Sequence, residues 1–195
     1  MHCSLRDVVR PPVSVLFVGI NPGMRSAAIG HHFAGYSNRF WKLMYESGLV
    51  PEAIGPEDDR RLPEWGYGIT NLVPRPTPGI DTLTPTDYVA GERLLRRHVR
   101  QWKPALVAFV GVTLYRTVFR PKASARVVCG LQRERFEGVP VFVVPNPSGR
   151  NANFSQQQML AAYRSLARVV RRRVSVRTAN AAHPTRRSSR ARQKR

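Results

Sequence analysis

Three six-residue runs limit what this chain can fold into: Val13 to Val18 (VSVLFV), Ala105 to Val110 (ALVAFV) and Val139 to Val144 (VPVFVV). Each is apolar over nearly its whole length and rich in β-branched residues. A strand covered on both sides reads this way, because neither face meets water. Such strands build a parallel sheet with helices on both faces, and the intervals supply helices. Thr84-Pro85-Thr86-Asp87 offers a cap, an N1 proline and a third-position acid. That helix should reach about Trp102, with Leu95, Val99 and Trp102 on one stripe. Ser37 to Ser47 should be helical, capped by Ser37 and ended by Gly48, and a short helix should end near Phe119. A long helix should span Phe154 to about Arg173, and Tyr67 to Val73 is a further strand. The stretch 51–66 reads as loop, and Arg126 to Phe136 as an irregular or short-strand excursion. The predicted fold is a three-layer α/β/α sandwich with a central, mainly parallel sheet.

In such sheets, ligands bind beyond the carboxyl ends of the strands. Two runs end there in loops of proline and glycine, 19–23 (GINPG) and 145–149 (PNPSG). Asn21, between a strand and a proline, presents a rigid amide that can hold a water or pair with a base. It cannot serve as a strong general base, because it does not titrate in the working range.

Charge gives the partner class. The 195 residues carry 32 basic and 12 acidic side chains, a net of +20. Ten of the basic residues and no acid fall between Arg171 and Arg195, so the remainder still stands at +10. A body basic in its own right attracts polyanions and supports nucleic-acid binding. Pro11 and Pro12 mark 1–12 as a leader, 13–174 as one domain, and the Arg/Ser/Ala-rich 175–195 as a disordered basic tail. That tail also fits a nuclear-localisation or protein-docking segment. No apolar run is long enough to span a membrane, and no secretory signal core is seen. Cys3 and Cys129, without CxxC spacing, exclude a zinc ribbon and give no disulfide framework. The expected setting is reducing, intracellular and prokaryotic cytoplasmic.

A family resemblance runs through three blocks. Gly19-Ile20-Asn21-Pro22-Gly23, continuing through Ser26, Phe33 and Ala34 to Asn38-Arg39-Phe40-Trp41-Lys42, resembles the mismatch-specific uracil/thymine-DNA glycosylases. So do Gly68-Ile69-Thr70-Asn71-Leu72-Val73-Pro74-Arg75-Pro76-Thr77 and Pro145-Asn146-Pro147-Ser148-Gly149, in family order over roughly 13–170. The resemblance implies an enzyme that hydrolyses the N-glycosidic bond of uracil, opposite guanine, in double-stranded DNA; a monomer is expected. Ethenocytosine and related pyrimidine lesions are further substrates by the same resemblance. Asn21 matches the catalytic asparagine that positions water at C1′, and Phe33 the ring that stacks on the extruded base. The backbone at Ile20 and Phe33 would read the base edge, and Ser26 and Asn71 would line the pocket. Ser26 and Asn71 also fit bland roles, a helix cap and a strand-end cap. Asn146, Pro147, Ser148, Gly149 and Arg150 would enter the duplex, though Arg150 equally fits a phosphate-binding or solvated side chain. Arg150-Asn151-Ala152 departs from the apolar wedge of related enzymes, so the opposite-base preference stays open.

Related families place an aspartate in the first motif. Asn21 stands there instead, which implies slow hydrolysis. Asp81 and Asp87 are candidate assistants, though Asp87 sits where a capping box wants it. His31 and His32 fit either a site role or a plain loop. No lysine occupies a motif position for a Schiff base, so a monofunctional glycosylase without lyase activity is expected, needing no metal or cofactor. Two rival classes remain: a non-catalytic nucleic-acid-binding protein on a degenerate glycosylase fold, and a nucleotide enzyme. The absence of GxGxxG and GxxxxGK[ST] weakens the second.

Overall fold

The computed structural model describes the backbone over 5–182 and side chains over 5–173. Its centre is a five-stranded sheet in the order β2-β1-β3-β5-β4. The strands are β1 (Val15–Gly19), β2 (Tyr67–Asn71), β3 (Val107–Val110), β4 (Gly130–Phe136) and β5 (Val139–Val144). β1, β2, β3 and β5 are parallel, and β4 returns antiparallel beside β5. The excursion predicted over Arg126 to Phe136 is thus a short edge strand, with a shift in register between Leu131 and Arg135.

The apolar runs do what their composition requires. Val15 and Phe17 of β1 enter one core, while Leu16 and Val18 enter the other. Ala108 and Phe142 join the first, and Val107 and Val141 the second. The first core also takes residues of α2 (Phe40–Glu46) and α5 (Gln156–Ala182). The second takes residues of α3 (Pro85–Trp102) and α4 (Val112–Phe119). Three layers result, as predicted.

Several local expectations change. Thr84 does cap α3 in a full capping box with Asp87, but Ser37 does not start α2. The N-cap of that helix is Arg39, without a capping side-chain bond, and just ahead of it Asn38 Oδ1 accepts the Phe40 N–H at 2.9 Å. The stretch read as loop holds a 3₁₀ helix, Pro56–Trp65, whose prolines and acids hide any α-period. The leader is tied down from Leu5 onward: Leu5 is buried, and Val8 bridges Ile69 of β2 with N···O distances of 3.0 and 2.9 Å. α5 continues to Ala182, into the segment read as a disordered tail, and 183–195 lie outside the described residues. Cys129 is a free thiol pushed up to about 11 by burial, and Cys3 lies outside the described residues.

Among the described residues, no helix is long and apolar enough to cross a membrane. The parallel strands align their carboxyl ends on one edge. The chain leaves β1 for β2 on one side and later fills β3 on the other. That reversal opens a crevice beside the end of β1.

Candidate active site

A cleft of about 600 Å³ occupies this crevice. Ile20, Asn21, Ser26, Phe33, Asn71, Asn146, Ser148, Gly149 and Arg150 all line it, as do Asp81 and His32. Three sequence blocks more than a hundred residues apart at their extremes thus meet in one place. Pro147 and His31 are not in the lining.

Asn21 is held by its amide nitrogen. Nδ2 donates to Thr77 Oγ1 at 2.6 Å and to the Pro22 carbonyl at 3.1 Å. A carbonyl can only accept, which fixes the amide orientation. Thr77 spends its single hydroxyl proton on the Gly79 carbonyl at 2.6 Å, so its oxygen must accept from Asn21. The Thr77 N–H also reaches the Pro22 carbonyl at 3.1 Å, which ties the two loops together. Oδ1 of Asn21 meets no donor among the described residues and is not sealed from solvent, so it opens on the cleft. Sequence reasoning placed Thr77 in a motif but missed its task. No local signal links it to a residue 56 positions away.

Phe33 adopts φ +51°, a left-handed conformation that costs a side-chain-bearing residue ~1 kcal/mol. The peptides beside it hold it there. The Ala34 N–H donates to Ser26 Oγ at 3.0 Å, and Arg25 Nε donates to the Ala34 carbonyl at 2.7 Å. Trp41 Nε1 donates to the His32 carbonyl at 3.1 Å, and the His32 N–H donates to Asp59 Oδ2 at 2.9 Å. The ring of Phe33 stacks on Phe40 at 4.2 Å and 18°, leaving its other face to the cleft. Ser26 therefore props the pocket rather than capping α1 (Met24–Ile29), whose N-cap is Gly23. His31 Nδ1 lies 3.0 Å from Asp59 Oδ1, so that histidine anchors the loop from behind. Asp59 was invisible in sequence because its 3₁₀ segment read as loop.

His32 is buried, and its Nε2 lies 3.0 Å from the Arg6 carbonyl. That acceptor-only partner requires the proton on Nε2. Burial lowers the pKa of the ring, which keeps it neutral and leaves Nδ1 as a bare lone pair. Asn71 Nδ2 sits 3.4 Å from Nδ1 and so donates to it. Asn71 Oδ1 is thereby directed elsewhere. It passes over Gly19, where an added Cβ would stand 2.6 Å from it and 3.4 Å from Phe33 Cζ. Asn71 is no mere strand-end cap.

The 145–150 loop is anchored to the start of α2. Arg39 donates from its backbone N–H to the Pro147 carbonyl at 3.0 Å and from Nη2 to the Ser148 carbonyl at 3.0 Å. Pro147 is buried in that contact, unlike its neighbours Gly149 and Arg150. Asn146 Oδ1 accepts the Ser148 N–H at 3.0 Å, and Asn151 Nδ2 donates to the Asn146 carbonyl at 2.8 Å. The guanidinium of Arg150 is exposed at the rim.

Asp87 serves structure. It bonds Arg75 at 2.7 Å and the Thr84 N–H at 2.8 Å, and the Arg75 guanidinium above all holds its carboxyl far below the usual range. Asp81 stands exposed on the cleft wall, without a hydrogen bond to Asn21. No three His, Cys, Asp or Glu side chains gather as metal ligands among the described residues.

The cleft thus combines an oriented amide oxygen, an aromatic face and a second amide edge, on a strongly basic protein. Comparison with known families agrees with this arrangement. The family model of the uracil DNA glycosylase superfamily matches residues 7–167, which takes in every cleft residue from Gly19 to Arg150. On that match, the chain belongs to the uracil DNA glycosylase superfamily.

Proposed function

We propose that this protein excises uracil, opposite guanine, from double-stranded DNA by hydrolysis and leaves an abasic site. Superfamily membership supports the coarser part, a DNA glycosylase acting on a DNA substrate. The observation that carries the finer part is the Asn21 amide. Its donor side is spent on Thr77 and Pro22, so only its carbonyl oxygen faces the cleft.

That oxygen would accept a hydrogen bond from a water lying against C1′ of the extruded nucleotide. As the C1′–N1 bond breaks, its electron pair leaves with the base and C1′ becomes oxocarbenium-like. The water oxygen then bonds C1′ and releases its proton to solvent. Asn21 orients but does not deprotonate, so the step leans on positioning. Phe33 would stack on the base, and the backbone at Ile20 and Phe33 would carry charge developing on it.

Asn71 supports a choice of base. Uracil offers an N3–H donor beside its O4 acceptor. Asn71 Oδ1 and its second amide hydrogen complement that pair while the first stays on His32. Cytosine offers the reverse pattern. It would need the amide turned over, setting Oδ1 against the bare Nδ1 of His32.

The test is single-turnover cleavage of labelled duplexes carrying one uracil opposite guanine or adenine. Strand scission of the guanine-opposed duplex only after alkali supports the reading. Scission without alkali would overturn the monofunctional assignment. Equal rates opposite both bases would overturn the mismatch preference.

A further inference from the structure

We propose that Tyr36, backed by Arg25, is a second nucleobase subsite at the mouth of the cleft, and that it receives an unpaired base adjacent to the extruded nucleotide. The inference rests on the DNA-glycosylase reading of the cleft and extends it to single-stranded DNA.

Tyr36 is 91% exposed, more than any other large apolar side chain described. A ring so displayed has no part in the core, yet it is not loose. The Arg25 guanidinium lies 4.0 Å from the ring centroid, and its Nη1 donates to the Tyr36 hydroxyl at 3.0 Å. Arg25 is itself pinned, because its Nε donates to the Ala34 carbonyl at 2.7 Å. One face of the ring is thus taken by a fixed cation and the other is open. Pre-ordering removes much of the entropy cost of docking a flat ligand there.

Position names the ligand. Tyr36 and Arg25 both line the cleft. Tyr36 lies three residues after Phe33, which faces the extruded base, and directly before Ser37. Ser37 packs so closely on Gly149 of the 145–150 loop that a Cβ there would come within 2.9 Å of the Ser37 carbonyl oxygen. The open ring therefore stands between the base pocket and the loop beside the strand. A nucleobase is the flat, weakly polar group that a DNA strand brings to such a place, and base–aromatic stacking tolerates any sequence. In a duplex the neighbouring bases stay stacked on each other. In a single strand they are free to leave, and the ring gains a partner. The guanidinium behind it adds attraction for the flanking phosphate.

The probe is a single-stranded oligodeoxynucleotide with 2-aminopurine beside one uracil carrying a 2′-fluoro substituent that blocks cleavage, and its duplex counterpart. Wild-type protein and Tyr36→Phe should quench the 2-aminopurine on binding the single strand. Tyr36→Ala should quench far less and bind it about tenfold more weakly, with duplex affinity nearly unchanged. The exposed ring contributes little to the fold, so an unchanged melting temperature checks that Tyr36→Ala is native. Equal quenching and equal single-strand affinity in Tyr36→Ala would overturn the proposal. A wild-type protein that binds neither form, and cleaves no unblocked uracil, would overturn the glycosylase reading instead.

Discussion

Asn21 cannot take a proton at neutral pH, so its value lies wholly in where its oxygen is held. Thr77 does the holding through one hydroxyl. Thr77→Val should lower kcat about tenfold while leaving KM nearly unchanged, because a small misplacement of an orienting group is costly. Thr77→Ser should restore it, and rapid-quench single-turnover rates decide both. His32 makes a second prediction, on pH. Its pKa in the folded protein lies below the unfolded value because burial disfavours the cation. Unfolded chains thus bind the extra proton first, and stability falls as pH drops from about 6.5 toward the lower folded value. Protonation at Nδ1 would also repel the Asn71 donor. His32→Gln keeps a donor for Arg6 and an acceptor for Asn71 without titrating. It should flatten the melting temperature between pH 6.5 and 5 relative to wild type, and flatten the acid limb of kcat/KM. An unchanged slope would contradict the neutral assignment. Asn21 and Phe33 were legible because each sits in a motif with its own chemistry. Thr77, Asp59 and the Arg6 carbonyl were not, since their roles exist only once distant segments meet.

Among the elements, those with local signals matched their sequence. Thr84, Pro85 and Asp87 carry every part of a helix start, and α3 begins there. The doubly buried strands were equally plain. The 3₁₀ stretch and the start of α2 were hidden, because Ser37 and Asn38 both read as good caps and only packing decides where the helix begins. Ser37 is occupied against Gly149, and the helix takes Arg39 as its N-cap, with Asn38 Oδ1 on the Phe40 N–H. Close approach also explains Gly19, at the end of β1. Gly19→Ala would bring a methyl to 2.6 Å from Asn71 Oδ1, inside the base pocket. Excision should fall about a hundredfold, by displacing the base and the amide that reads it, with DNA affinity far less changed. Gel-shift titration beside single-turnover rates separates the two effects. Equal losses in binding and rate would place Gly19 in the scaffold rather than the pocket.

At the scale of the molecule, charge was the clearest message in the sequence and the fold organises it. Several acids are spent on neighbouring arginines: Glu92 and Glu137 hold Arg96 at 2.8 and 2.7 Å, and Asp87 holds Arg75. Much of the positive surplus therefore remains for a polyanion. Truncation after Ala182 removes six basic residues and no acid. It should flatten the dependence of log K on log salt in DNA binding, the slope falling by about 0.9 for each phosphate that the tail had neutralised. The rate at saturating DNA should hold, since every cleft residue lies before that point. A fall in that rate would assign the tail a part in catalysis.

The most direct test of the central claim compares wild-type protein with Asn21→Ala on a duplex bearing one uracil opposite guanine, under single-turnover conditions with an alkali step. The account predicts abasic product from the wild type and a rate lower by about a hundredfold or more in Asn21→Ala, at similar DNA affinity, as for loss of one pre-organised polar group. Equal rates from the two proteins would contradict it, because no other residue of the cleft has been given the water.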